Sequence, residues 1–95
     1  MAKVNWSQEA REDLEDIYLQ YCKYSDAFAQ KWADEIFDVT LLLETNPRLG
    51  RVLPETKIAS IREMIIGKHR LVYQINKKDI EILTLRHSSK PFSEY

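Results

Sequence analysis

The residues best suited to chemistry in this sequence are cations and histidines in its second half. The stretch "GKHRLVYQI", residues 67–75, begins with a glycine and three basic or titratable side chains, and "LTLRH", residues 83–87, ends with two more. Arginine and lysine neutralise phosphate oxygens, and histidine transfers protons near neutral pH. The set therefore suits binding of an anionic partner or metal-free cleavage of a phosphodiester. Its members are Arg62, Lys68, His69, Arg70, Arg86, His87 and Lys90.

Other common catalytic and metal-binding patterns are absent from the sequence. It contains no Walker loop and no nucleophile triad. His69 and His87 lack a third ligand at suitable spacing, so we expect no metal site and no cofactor. The single cysteine, Cys22, excludes an internal disulfide and a cysteine metal cluster.

Two amphipathic helices precede the cationic residues. Ser7 and Ser25 are suitable N-caps, because a serine hydroxyl can accept a hydrogen bond from a free N–H group of the first turn. Apolar residues then recur at helical spacing through residues 8–24 and 26–45. The second helix ends at "TNP", because the residue before Pro47 is disfavoured in the helical conformation. The short connection between the helices predicts an antiparallel hairpin.

Strands are predicted before and after these helices. "AKVNW", residues 2–6, alternates like a short strand, whereas "NPRLGRVLPET" reads as a loop punctuated by proline and glycine. Alternating patterns then predict strands at residues 61–66, 70–76 and 80–87. The order β-α-α-β-β-β predicts one α+β domain over residues 1–95, with the helix hairpin packed on an antiparallel sheet.

Alternation along the middle strand predicts which face of the sheet each residue occupies. Leu71, Tyr73 and Ile75 share one face, which we expect to pack against the helices. Arg70 then points to the opposite face, where little of the chain remains to cover it. The strand is therefore expected to present Arg70 outward.

The last predicted strand has apolar residues on both faces. Strict alternation places Leu83 and Leu85 with Glu81 and His87, on the face opposite the remaining apolar positions. Two explanations stay open. Residues 88–95 fold back over this face, or a partner protein covers it.

Charge is divided unequally along the chain. Residues 1–46 contain four basic and ten acidic residues, a balance of −6, whereas residues 47–95 contain ten basic and five acidic residues, a balance of +5. Such a split is typical of an electropositive surface that meets an anionic partner, or of two faces that attract each other within one domain. No apolar run is long enough to span a membrane, so we expect a cytoplasmic protein.

The ordered series of motifs resembles the RelE/ParE toxin superfamily of bacterial type II toxin–antitoxin systems. The resemblance runs from "VNWSQEAREDLEDI" through "NPRLGR" and "IREMIIGKHRLVYQI" to "IEILTLRHSSKPF", and so covers nearly the whole chain. "IRE", "HRLVYQI" and "IEILTLRH" are most similar to the ParE, or plasmid-stabilisation, branch. The resemblance implies a growth-inhibiting toxin that a neighbouring antitoxin silences in a toxin–antitoxin complex.

The resemblance also implies two alternative activities. ParE-like members inhibit DNA gyrase by protein–protein contact, without known catalysis, whereas RelE-like members are ribosome-dependent endoribonucleases that cut mRNA without a metal. Arg70 matches a family arginine that contributes to catalysis in the ribonuclease branch. That branch has paired lysines on the preceding strand, where this chain has Arg62 and Glu63, and a glutamate there would oppose phosphate binding. The gyrase reading is therefore preferred.

Each reading assigns its own residues. Under the ribonuclease alternative, Arg70 stabilises the scissile phosphate, and His87 or Tyr95 transfers protons. For binding of the target or the antitoxin, we expect contributions from the exposed cations and from the last strand, which has apolar residues on both faces. This second set comprises Arg62, Arg70, Leu83, Leu85, Arg86 and Lys90.

Overall fold

The computed structural model describes residues 2–88, which form two helices and five strands. The elements in chain order are β1 (Lys3–Trp6), α1 (Gln8–Cys22), α2 (Asp26–Thr45), β2 (Arg51–Val52), β3 (Ile61–Ile66), β4 (His69–Ile75) and β5 (Asp79–His87). The helix hairpin packs on one face of the sheet, as predicted.

The five strands form one sheet in the order β1-β5-β4-β3-β2. β1 pairs with β5 in parallel, and the other neighbours are antiparallel. The two residues of β2 lie inside the segment that was predicted to be a loop. A strand of two residues is too short to show alternation, so the sequence pattern could not reveal it.

Both predicted helix caps are confirmed. The Ser7 hydroxyl accepts a hydrogen bond from the N–H of Ala10 at 3.0 Å, and the Ser25 hydroxyl accepts one from the N–H of Phe28 at 3.1 Å. α1 ends at Cys22, two residues before the predicted end, whereas α2 has the predicted bounds.

The core lies between the helices and the sheet. Trp32, Ile36 and Leu43 of α2 are buried against Leu71 and Tyr73 of β4 in one apolar cluster. The predicted helix-facing side of β4 is therefore confirmed, and Arg70 lies on the other side of the sheet. We call that side the second face. Its defining residues are direct or diagonal neighbours across strands β2–β5, namely Arg51, Glu63, Arg70, Val72 and Arg86.

Candidate functional site

Four charged side chains form a cluster on the second face. Arg70 Nη1 donates a hydrogen bond to Glu55 Oε2 at 2.9 Å, and Arg70 Nε lies 3.0 Å from Glu63 Oε1 without hydrogen-bond alignment. Glu63 Oε2 accepts a hydrogen bond from Arg51 Nε. Arg70 Nη2 also donates to the Ser88 carbonyl at 3.3 Å. The cluster holds two positive and two negative groups, so its formal charge is zero.

The centre of the cluster is shielded from water, whereas Arg51 and Glu55 at its edge are partly exposed. The Glu63 side chain is fully buried, and the Arg70 side chain is 12% exposed. An ionised carboxylate is strongly disfavoured in the interior unless it is paired, and the two arginines supply such pairing for Glu63. The prediction that Arg70 lies open on the second face is therefore wrong, although the predicted face is correct.

The cover over Arg70 comes from the segment after β2. Leu53 is fully buried outside the helix-side core cluster, and its carbonyl accepts hydrogen bonds from the N–H groups of Thr56 and Lys57 at 3.2 and 3.1 Å. This turn carries Glu55 to the Arg70 guanidinium. The sequence pattern predicted only a loop here, and nothing in it indicated where the loop packs.

Arg86 lies beside Arg70 on the second face. The two residues are partners across β4 and β5. Arg86 Nε donates to the Thr84 hydroxyl at 3.4 Å, and Arg86 Nη2 lies 3.9 Å from Glu9 Oε2. Both arginines are thus engaged with oxygen atoms of the chain itself.

The two histidines lie on the helix face of the sheet. His69 and His87 are partners across β4 and β5, with ring centroids 5.9 Å apart. His69 is buried against the rings of Tyr21 and Trp32, at 6.0 and 5.5 Å. The register therefore places His87 on the face opposite the one that holds the two arginines.

Burial sets the protonation of His69. Loss of hydration lowers the pKa of this imidazole, and the neighbouring His87 and Lys68 lower it further. Its Nδ1 atom has no hydrogen-bond partner among residues 2–88. The neutral ring is therefore favoured, and His69 acts as a packed aromatic residue rather than as a cation.

A β-bulge changes the faces of the last residues of β5. Val72 and Tyr73 are consecutive, yet their partners on β5 are residues 84 and 82, so Leu83 is an extra residue. This insertion shifts the alternation by one position and returns Leu85 to the helix face, where it is 1% exposed within the core. The predicted placement of Leu85 on the second face is wrong, and its side chain is not available to a partner. Leu83 remains partly exposed.

Two polar side chains hold the bulged part of β5. The Asp13 carboxylate accepts hydrogen bonds from the Thr84 hydroxyl at 2.9 Å and the Leu85 N–H at 3.0 Å. The Ser7 hydroxyl donates to the Leu83 carbonyl at 3.0 Å. β1 pairs with β5 only as far as Ile82, so these side chains satisfy backbone groups where strand pairing has ended.

Arg62 supports the turn that follows α2. Its guanidinium donates to the carbonyls of Ala59 at 3.0 Å and Gly50 at 2.9 Å. The Tyr73 hydroxyl accepts from the Gly50 N–H at 2.8 Å and donates to the Pro47 carbonyl at 2.7 Å. A Cβ atom at Gly50 would lie 2.5 Å from the Glu63 carbonyl oxygen, so only glycine fits there. A role of Arg62 in binding stays a prediction.

The remaining predicted site residues, Lys90 and Tyr95, lie outside the described residues. Within residues 2–88, no group of three or more histidine, cysteine, aspartate or glutamate side chains is arranged to hold a metal ion. None of the helices in this part of the chain combines the length and hydrophobicity needed to cross a bilayer. Sequence reasoning missed Glu55 and Arg51 as parts of the cluster. Glu63 gave the one signal, since it is a glutamate within the mostly apolar strand β3.

Comparison with known families identifies one match. The family described as "ParE toxin of type II toxin-antitoxin system, parDE" matches residues 4–92. No curated protein matches the chain.

Solved structures of similar fold come from toxin–antitoxin systems. The chromosomal ParDE system of P. aeruginosa contains a chain that is 21% identical, with a TM-score of 0.75 and coverage of 92% of this chain and 96% of that chain. The RelBE2 toxin–antitoxin complex of Mycobacterium tuberculosis gives 24% identity, a TM-score of 0.58 and coverage of 90% and 96%. The YoeB–YefM complex of Staphylococcus aureus gives 18% identity, a TM-score of 0.60 and coverage of 92% and 97%. These likenesses establish the fold.

Proposed function

The chain belongs to the ParE toxin family of type II toxin–antitoxin systems, and from that premise we propose that it inhibits DNA gyrase by protein–protein contact. It acts in the cytoplasm, where growth stops when gyrase is inhibited. A cognate antitoxin binds the toxin and neutralises it in a hetero-oligomeric complex. The toxin–antitoxin complexes of similar fold support this partner.

The observation that carries the proposal is the neutral cluster around Arg70. A ribonuclease stabilises the negative charge of the transition state with cations that are aimed at the phosphate. Here the Arg70 guanidinium already contacts Glu55 and Glu63, and its side chain is 12% exposed. A phosphate would have to displace these carboxylates, and the buried Glu63 would repel it. Binding to a protein target requires no such free cation.

One observation favours the ribonuclease alternative. Arg70 and Arg86 are adjacent across two strands, as two cations for one phosphate would be. Against it, His87, one of the two proposed proton-transfer groups, pairs with His69 on the other face of the sheet and does not converge with the two arginines. The gyrase proposal therefore has the stronger support.

Two assays on the purified chain separate these activities. The first measures supercoiling of a relaxed plasmid by gyrase, and the second measures mRNA cleavage on purified ribosomes by primer extension. We expect inhibition of supercoiling, relief of this inhibition by the antitoxin, and no codon-specific cuts. Codon-specific cleavage without any effect on gyrase would overturn the proposal.

A matched pair of variants strengthens the second assay. Arg70→Ala and Arg86→Ala each remove one arginine of the adjacent pair. Under the gyrase proposal, both variants leave the primer-extension pattern unchanged. Under the ribonuclease alternative, loss of the phosphate-stabilising arginine lowers the cleavage rate by about 10²–10³.

A further inference from the structure

A wide groove of about 930 Å³ separates the turn after α2 from the turn between β4 and β5. It lies away from the charged cluster on the second face. The lining residues that matter for binding are Arg48, Leu49, Ile75, Lys77, Lys78 and Asp79.

Both walls of the groove are fixed by hydrogen bonds. Tyr73 and Gly50 hold the first turn through the contacts described above, at 2.7–2.8 Å. In the second turn, the Asn76 N–H donates to the Asp79 carbonyl at 2.8 Å, and Asn76 Nδ2 donates to Asp79 Oδ1 at 2.9 Å. The groove is therefore formed before any partner arrives, which reduces the entropy lost on binding.

The positive charge at the rim of this groove is not neutralised by carboxylates of residues 2–88. Arg48, Lys77 and Lys78 are exposed, and none forms an ion pair with a carboxylate of residues 2–88. The Asp79 carboxylate also lines the groove, but it accepts hydrogen bonds from the Asn76 and Asn5 amides. The rim thus has three cations and one carboxylate, and it favours an acidic partner.

The surface between these charges is mainly apolar, although Asn46 and Asn76 also line the groove. Leu49 is 48% exposed, and Ala2, Pro47 and Ile75 continue the surface. Among residues 2–88, no aromatic side chain lines the groove, so this part of the chain offers no stacking platform for a nucleobase. An aliphatic side chain from a partner would instead remove Leu49 from water.

We propose that this groove binds an acidic segment of a protein partner that inserts an aliphatic side chain against Leu49. The cations steer the acidic residues, and the apolar floor provides the buried contact. The binding does not depend on whether the toxin acts on gyrase.

A peptide titration of the full chain tests the proposal. The ¹⁵N-labelled protein is titrated by NMR with a synthetic peptide in which Glu and Leu alternate, and with a Lys–Leu and a Glu–Ser peptide as controls. We expect the Glu–Leu peptide to shift the amide signals of Arg48, Leu49 and Lys77–Asp79, with an affinity that falls as salt is raised. The Lys–Leu peptide should not bind, and the Glu–Ser peptide should bind more weakly.

Matched charge reversals locate the binding. The double variant Lys77→Glu, Lys78→Glu should lower the affinity for the Glu–Leu peptide by at least about tenfold, because two attractive charges become repulsive. The control variant Lys23→Glu, Lys57→Glu makes the same change of net charge outside the groove. Its affinity for the Glu–Leu peptide should stay within about twofold of that of the natural chain. A thermal melt of each variant checks that it is folded.

Several results would overturn the proposal. Absence of binding, shifts that map to another surface, or equal affinity for the Glu–Leu and Glu–Ser peptides each contradict it. If a single-stranded oligonucleotide shifts the same amide signals and binds with higher affinity than the peptide, the groove is a phosphate-binding site instead. Failure to inhibit gyrase contradicts only the function proposed above, because the peptide titration does not involve gyrase.

Discussion

The two faces of β4 accommodate neighbouring basic residues in opposite ways. His69, on the helix face, is buried among rings, and burial lowers its pKa, so the neutral form is favoured. Arg70, on the second face, cannot lose its proton at accessible pH, and two glutamates contact it instead. A titratable cation can be buried by losing its charge, whereas a permanent cation requires carboxylates brought from other segments. On the second face these come from β3 and from the turn after β2.

The largest expected effect comes from removing the buried carboxylate of the second face. Glu63→Ala should lower the free energy of unfolding by about 3–5 kcal/mol, because Arg70 loses its fully buried counter-ion. Chemical denaturation measures the change. Glu81→Ala, on the same face but without an ion pair in the described residues, serves as the control and should change stability by about 0.5 kcal/mol or less. Equal losses for the two variants would contradict the role of the cluster.

A second test compares two leucines of β5 that the bulge places differently. Leu85→Ala should cost about 2–5 kcal/mol, since it leaves a cavity in the core between the helices and the sheet. Leu83→Ala should cost less, since the Leu83 side chain is partly exposed. The same denaturation experiment measures both. Equal losses for the two variants would mean that Leu83 and Leu85 share one face, as strict alternation of β5 requires, and would contradict the bulge.

A smaller effect is expected for the pairing of Arg70 with Glu55. The Glu55 side chain is 28% exposed, so water screens this pair more than the buried one. A double-mutant cycle with Arg70→Met and Glu55→Gln should give a coupling energy of about 1 kcal/mol. The coupling should decrease as salt is raised. A coupling of zero at low salt would show that the turn after β2 covers Arg70 without an electrostatic contribution.

The smallest effect concerns the pH dependence that His69 adds on the helix face. Its pKa is lower in the folded state than the ordinary value of 6.5, so the unfolded chain binds the proton more tightly. The stability that depends on the neutral ring is complete above about pH 6.5 and is lost as the pH falls through the folded pKa. Thermal melts between about pH 7.5 and pH 5 should show this loss.

Two variants assign that pH dependence to the buried ring. His69→Phe keeps an aromatic ring but cannot be protonated, so its melting temperature should fall less between the same two pH values. His87→Gln is the comparison, because it removes the more exposed histidine of the pair but keeps the burial that is the main cause of the lowered His69 pKa, so most of the pH dependence should remain. If His69→Phe retains the full pH dependence of the natural chain, the titrating group lies elsewhere.

Local patterns predicted most of the secondary structure. The caps at Ser7 and Ser25, the end of α2 before Pro47, and the three long strands all depend on residues close together in the chain. Alternation along β4 also placed Arg70 on the correct face, because a regular strand has a period of two. These features required no knowledge of distant contacts.

The predictions that Arg70 is exposed and that Leu85 lies on the second face were wrong, because distant contacts decide both. One inserted residue, Leu83, exchanged the faces of the residues that follow it in β5 and placed Leu85 in the core, although nothing in the apolar pattern marks a bulge. Likewise, "IREMII" showed that a glutamate lies in β3, but not that Arg51 and Arg70 would surround it. The family and the α+β fold were therefore determined by the sequence, through short-range periodicity and an ordered series of motifs. Which cations are neutralised and which remain exposed was decided by the tertiary structure, because ion pairs depend on segments that meet only after the sheet has formed.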